Sequence, residues 1–181
     1  PPQRAGPERE FGDPMGARFA EPVLRIKTAW GGKSLGRDFR PPSAGLPSDE
    51  EFERMAAEKN AQVRAHNEKN PDKPRETVTV DQLKAGYGHF YREMLREVRG
   101  TLADLPASFP ELTDATPKLA GFVWFQGWND QFDPDGSANY GEYMAHFVRD
   151  VRRDLAAPEL PFVVGVVGFD GQSDPPPGRD G

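Results

Sequence analysis

The sequence predicts an α/β protein, a three-layer α/β/α arrangement built around a parallel sheet. Two observations carry this expectation. Residues 21–30, 119–125 and 161–168 each hold a short apolar run, the pattern of strands buried on both faces of a parallel sheet. After the first run come segments whose apolar residues recur at helical steps. The resulting order, strand, helix, strand, helix, strand, closes into a parallel sheet through right-handed crossovers.

Residues 1–7 form a Pro-rich lead. Residues 8–20 predict a short helix around Phe11, Met15 and Phe19, confined by Pro14 to the part after it. The run at 21–30 has Val23, Leu24 and Ile26 as its apolar part and ends in Trp30-Gly31-Gly32-Lys33-Ser34-Leu35. Two adjacent glycines after a strand permit a sharp turn and let backbone N–H groups approach a ligand; a plain turn has the same signature. The prolines of residues 36–47 exclude helix and central strand, leaving an ordered loop over the sheet's active edge. Arg37, Phe39 and Arg40 are within reach of a substrate there, although solvated loop charge is the simpler reading for the arginines.

Ser48-Asp49-Glu50-Glu51 reads as a capping box, and the helix it starts should reach His66 or Asn67, with Phe52, Met55, Ala56 and Val63 as a thin apolar stripe. With the polar stretch 67–76 behind it, residues 48–76 read as a helical insertion in one domain spanning 1–181. Thr79 or Asp81 caps the next helix, which should run unbroken to Leu102 along Leu83, Tyr87, Phe90, Met94, Val98 and Leu102. Gly86 and Gly88 weaken it locally. His89 reads as a surface or half-buried residue. A loop covers 105–116.

The central run, Leu119-Ala120-Gly121-Phe122-Val123-Trp124-Phe125, turns abruptly polar at Gln126-Gly127-Trp128-Asn129-Asp130. In open parallel sheets chemistry sits just beyond the carboxyl ends of the strands, which makes 126–130 a site position. An ordinary turn rich in Asn and Asp is the alternative. Residues 140–155 predict a helix with Tyr143, Met144, Phe147, Val151 and Leu155 inward. On that helix His146 reads as solvated, and Arg149, Asp150, Arg152, Arg153 and Asp154 as an exposed charged surface.

The 181 residues suffice for one domain with a core. The net charge of −6 and the absence of a basic run argue against a nucleic-acid groove and favour a neutral or weakly charged ligand. With no cysteine there is no disulfide. No apolar stretch approaches membrane-spanning length and no signal peptide is visible. The chain starts at Pro1 rather than Met, the expectation for a segment of a longer or processed product.

Three segments resemble the SGNH hydrolase superfamily and, within it, the sialate O-acetylesterase-like (SASA) carbohydrate esterases. Residues 26–35 (IKTAWGGKSL) resemble the block whose glycine supplies an oxyanion-hole N–H. Residues 121–130 (GFVWFQGWND) resemble the G-x-N-D block in its W-x-Q-G-x-N-D form, with Trp128 where relatives often carry Glu. Residues 160–164 (LPFVV) resemble the strand after the next helix. The resemblance implies an SGNH/flavodoxin-like fold and hydrolysis of acetyl esters of sugars. Ser attacks the acyl carbonyl, His serves as general base and then acid, and Asp orients the His. It assigns oxyanion donors to the backbone N–H of Gly31 or Gly32 and to the side-chain amide of Asn129, with Gln126 as a further donor; Asp130 braces the turn. No metal or cofactor is implied, and the partner is an acetylated carbohydrate. Relatives of this kind are commonly exported, which implies a periplasmic or secreted parent.

Two family blocks have no counterpart. None of His66, His89 and His146 has Asp three positions earlier, so there is no D-x-x-H, and no Ser stands in a G-x-S-N context. Gly171-Gln172-Ser173 imitates the nucleophile block, but Asp174 replaces the Asn and the triplet follows the third run rather than the first, so it reads as coincidence. The expectation is an esterase domain incomplete at both ends, inactive by itself. A non-catalytic carbohydrate-binding or structural domain of the same fold is the alternative. The esterase reading requires the Gly31-Gly32 turn and Asn129 to converge.

Overall fold

A computed structural model of the protein describes residues 7–166. The described chain divides into two compact units, residues 7–31 with Arg96–Ala115, and Gly32–Leu95 with residues 116–166. In chain order the elements are α1 (Pro7–Arg18), α2 (Asp49–Lys69), α3 (Val80–Gly86), α4 (His89–Ala103), α5 (Leu105–Ser108), β1 (Phe122–Trp124), α6 (Pro134–Ala138), α7 (Tyr140–Asp154) and β2 (Phe162–Val164). Single 3-10 turns occur at Pro42–Ala44, Pro110–Leu112 and Asp130–Phe132.

In the first unit, α1 runs through Pro14 rather than starting after it. The proline ring holds a helical φ and removes one N–H donor, a cost the helix absorbs. Residues 21–30, expected as a strand, form no strand among the described residues. Their alternation survives in part, with Ile26, Thr28 and Trp30 more covered than Arg25, Lys27 and Ala29.

The second unit holds the sheet. β1 and β2 pair in parallel, in register Phe122↔Phe162, Val123↔Val163 and Trp124↔Val164. The α/β class and the parallel pairing match the expectation; a third strand does not appear among the described residues, and the predicted run's last residues, Val167 and Gly168, lie outside them. One face of the pair packs on α7: Phe122 meets Phe147 at 5.8 Å, Trp124 meets Phe147 at 4.5 Å, and Phe122 stacks on Phe162 at 4.7 Å. The central run is not buried on both faces, because Val123 and Val163 on the opposite face remain half exposed.

Residues 48–69 follow the expectation closely. Ser48 caps α2 by accepting from Glu51 N at 3.2 Å, and Glu51 returns a carboxylate to Ser48 N at 2.8 Å. Phe52 and Ala56 of α2 close against Leu83 of α3. Thr79, not Asp81, caps α3.

The unbroken helix expected through Leu102 is two helices. Between them Gly88 adopts φ +63°, and its N–H donates to Arg37 O at 2.8 Å while Phe90 N donates to Asp38 O at 2.9 Å. The 36–41 loop thus presses its backbone into the gap, which Gly88 permits because a Cβ there would stand 2.6 Å from Arg40 O. In α4 the stripe's Met94 and Val98 are buried as expected, joined by Tyr91 and Leu95, while Phe90 is only partly covered. No helix of the described residues is long and apolar enough to cross a membrane. Gly88→Ala should destabilise the protein by about 2 kcal/mol or more, the cost of a left-handed L-residue with a backbone clash added, read as a lower urea midpoint.

Candidate active site

The candidate site forms where β1 ends. Its centre is Asp130, 2% exposed. Oδ2 accepts from Leu35 N at 3.0 Å and from Gln126 Nε2 at 2.6 Å, and Oδ1 accepts from Gly36 N at 2.8 Å. A carboxylate taken from water must be met by donors, and two successive backbone N–H groups with an amide supply them. This ties the 33–39 segment to the tip of β1 across more than ninety residues of sequence. Gly36 fits here because a Cβ would meet Gly136 Cα at 3.1 Å and Asp130 Oδ1 at 3.5 Å.

Gln126 is held from every side. Its Nε2 also donates to Lys33 O at 2.8 Å, and its Oε1 and backbone carbonyl both accept from Tyr140 OH, at 3.2 and 2.7 Å. Tyr140 in turn accepts from Trp124 Nε1 at 3.0 Å. Burial, above all, raises the Tyr140 phenol's pKa, with the Asp130 charge adding to it against the Trp124 hydrogen bond, so at neutral pH it stays a donor. Both Gln126 amide hydrogens are therefore spent inside the protein, on Lys33 and Asp130, and its position is that of a bracket.

Asn129 donates one amide hydrogen to Lys33 O at 3.2 Å. Lys33 directly follows Gly32, so the Asn129 amide and the turn at Gly32 share one edge of the second unit, beyond the carboxyl end of β1. The second Asn129 amide hydrogen has no partner among the described residues. Gly32 has φ +71° and is exposed, and neither its N–H nor that of Gly31 has a partner among the described residues.

The loop between Gly32 and Pro47 is more deeply built in than its composition suggests. Phe39 is buried edge-on against Trp124 at 5.1 Å. Arg40, expected as solvated charge, donates to Gly45 O at 2.7 Å and Gly36 O at 2.9 Å, and its guanidinium lies 4.2 Å from the centre of the Tyr143 ring. The loop is also pinned to α7: Ser43 N donates to Asp150 at 2.8 Å, and Ser43 Oγ pairs with His146 Nδ1 at 2.7 Å. His146 is thus bonded rather than merely solvated. Asp150, expected on an exposed surface, is fully buried and also takes a hydrogen bond from Arg153 at 2.7 Å. A charged residue on a helix gives no sequence signal of a loop docking on it.

A shallow groove of about 450 Å³ on α7, lined by Ala145, Val148, Arg149, Arg152, Arg153 and Pro158, shares no residue with this site. Among the described residues no cluster of His, Cys, Asp and Glu has the makings of a metal centre. The Gly171-Gln172-Ser173 triplet lies outside the described residues.

Residues 77–175, more than half of the chain, match the family described as carbohydrate esterase, sialic acid-specific acetylesterase (SASA). The chain belongs to the SASA carbohydrate-esterase family. Neither a curated protein nor a solved structure matches it. The SASA match contains Gln126, Asn129, Asp130 and Tyr140, while Gly31 and Gly32 precede it.

Two measurements test this account of the SASA site. Asp130→Asn turns an NH₂ group toward donors and should cost about 2–3 kcal/mol in urea unfolding, the worth of hydrogen bonds to a buried charge. Tyr87, Tyr91, Tyr140 and Tyr143 all have pKa values raised above 10.0, chiefly by burial. A raised folded value favours the neutral phenol, so this contribution to stability is complete below pH 10 and falls as pH rises above it. An alkaline titration should show phenolate absorbance appearing together with loss of helical circular dichroism, not before it.

Proposed function

We propose that this SASA-family chain carries the oxyanion-binding part of a carbohydrate O-acetylesterase, acting on acetyl esters of sugars. The observation that supports it best is the shared edge of Asn129 and the Gly32 turn, joined through Lys33 O. Hydrolysis through an acyl-enzyme puts negative charge on the carbonyl oxygen, and fixed donors meet it at no reorganisation cost. The Gly32 N–H group and the remaining Asn129 amide hydrogen are donors of that kind, and amides donate without a proton to lose. Gln126 contributes by holding Lys33 O and Asp130 in place. The net charge of −6 favours a neutral acetylated sugar over a polyanion.

The nucleophile and general base are supplied from outside these 181 residues, because no G-x-S-N and no D-x-x-H block occurs among them. The 181-residue chain should therefore leave p-nitrophenyl acetate unhydrolysed above buffer. A longer protein containing both blocks should hydrolyse it, with Asn129→Ala lowering kcat about 10²–10³-fold and KM little changed. Efficient turnover by the 181 residues, abolished by Ser173→Ala, would overturn the division of labour. Glycan binding without hydrolysis by the longer protein would favour a carbohydrate-binding module instead.

A further inference from the structure

The turn after β1 exposes two large rings beside Asn129. Trp128 is 50% exposed and Phe132 68% exposed, and they meet edge to face with centroids 6.1 Å apart. Trp124, four residues before Trp128, is by contrast buried against Phe39 and Phe147. Clustered exposed rings next to a candidate site mark a binding surface.

The pair is also held still. Asp130, between the two residues in sequence, is fixed by three hydrogen bonds, and Gln131 Nε2 donates to Trp128 O at 2.7 Å across the 3-10 turn, so the backbone that carries both rings is tied down. Gln131 Oε1 is a buried acceptor with no hydrogen-bond partner among the described residues, an unmet bond beside the rings. A platform ordered before binding loses little entropy when it is occupied.

We infer that Trp128 and Phe132 form the sugar subsite of this centre, stacking the C–H face of a pyranose whose acetyl group lies toward Asn129. A pyranose suits the surface: it has a flat apolar face for the rings. Asn129 follows Trp128 directly in the chain, so the platform and the proposed oxyanion donor belong to one turn. The identity of the ligand rests on the esterase reading; the existence of the platform does not.

The test is a ligand-observed NMR titration of the 181-residue chain with three probes: methyl glucopyranoside, an O-acetylated methyl glucopyranoside and ethyl acetate. The acetylated pyranoside should bind about tenfold tighter than ethyl acetate, with saturation strongest on its C–H face. Trp128→Ala and Phe132→Ala, both at exposed positions and checked for folding by circular dichroism, should each erase most of that advantage, and Trp128→Tyr should retain it. The inference is overturned if the wild-type chain binds neither pyranoside, or if both alanine variants hold either pyranoside within about twofold of wild type. Asn129→Ala separates the two readings. Loss of the acetyl increment with methyl glucopyranoside still bound supports both. A pyranoside bound through Trp128 with no acetyl increment keeps the platform and removes the esterase reading. An acetyl increment that depends on Asn129 but not on the rings keeps the esterase and removes the platform.

Discussion

A single buried carboxylate organises the site. Asp130 has almost no contact with water, and an ion in that position is tolerable only when its oxygens are fully met. The donors it recruits come from Leu35, Gly36 and Gln126, two of them backbone groups of a loop far away in sequence. Satisfying Asp130 therefore requires the 33–39 segment to lie against the end of β1. Once it does, Lys33 O is within reach of Gln126 and Asn129, and the turn at Gly32 is carried to the same edge.

Around that tie the side chains form a continuous support. Trp124 packs on Phe147 and Phe39 and donates to Tyr140, which donates to Gln126, which donates to Asp130. Each link is a directional bond or a ring contact in partly buried surroundings, where hydrogen bonds reinforce one another. The loop is fastened a second time through Ser43 to Asp150 and His146 of α7 and a third time by its backbone contacts to the gap between α3 and α4. Proline-rich and glycine-rich composition thus produces an ordered wall here, since rigid prolines lose little entropy and the loop's polar groups find partners.

The arrangement divides roles among chemically similar residues. Gln126 and Asn129 carry the same amide, yet Gln126 has both hydrogens committed to the scaffold while Asn129 has one. Three aromatic residues in five positions diverge as well: Trp124 enters the core, whereas Phe125 and Trp128 stay largely in solvent. Side chains alternate along a strand, so neighbours at its end serve opposite surfaces. The turn that follows then decides which of them stands beside the polar groups.

Local rules in the sequence determined a good deal of this protein. The capping boxes at Ser48 and Thr79, the amphipathic stripe of α7, the parallel pairing implied by two apolar runs around a helix, and the placing of Asn129 just beyond a strand end all depend on neighbours within a few residues or on general crossover rules. The motif at 121–130, which lies inside the matched residues, pointed to the family for the same reason, since a motif is a local string. Tertiary structure alone decided the rest. Whether residues 22–30 become a strand depends on a partner strand. Whether the helix through Tyr87 continues depends on a backbone arriving from Arg37 to Arg40, and whether Asp150 is solvated depends on Ser43 docking over it. Each of these is a contact between residues far apart in the chain, and no periodicity or spacing records which distant atom will fill a given hydrogen bond.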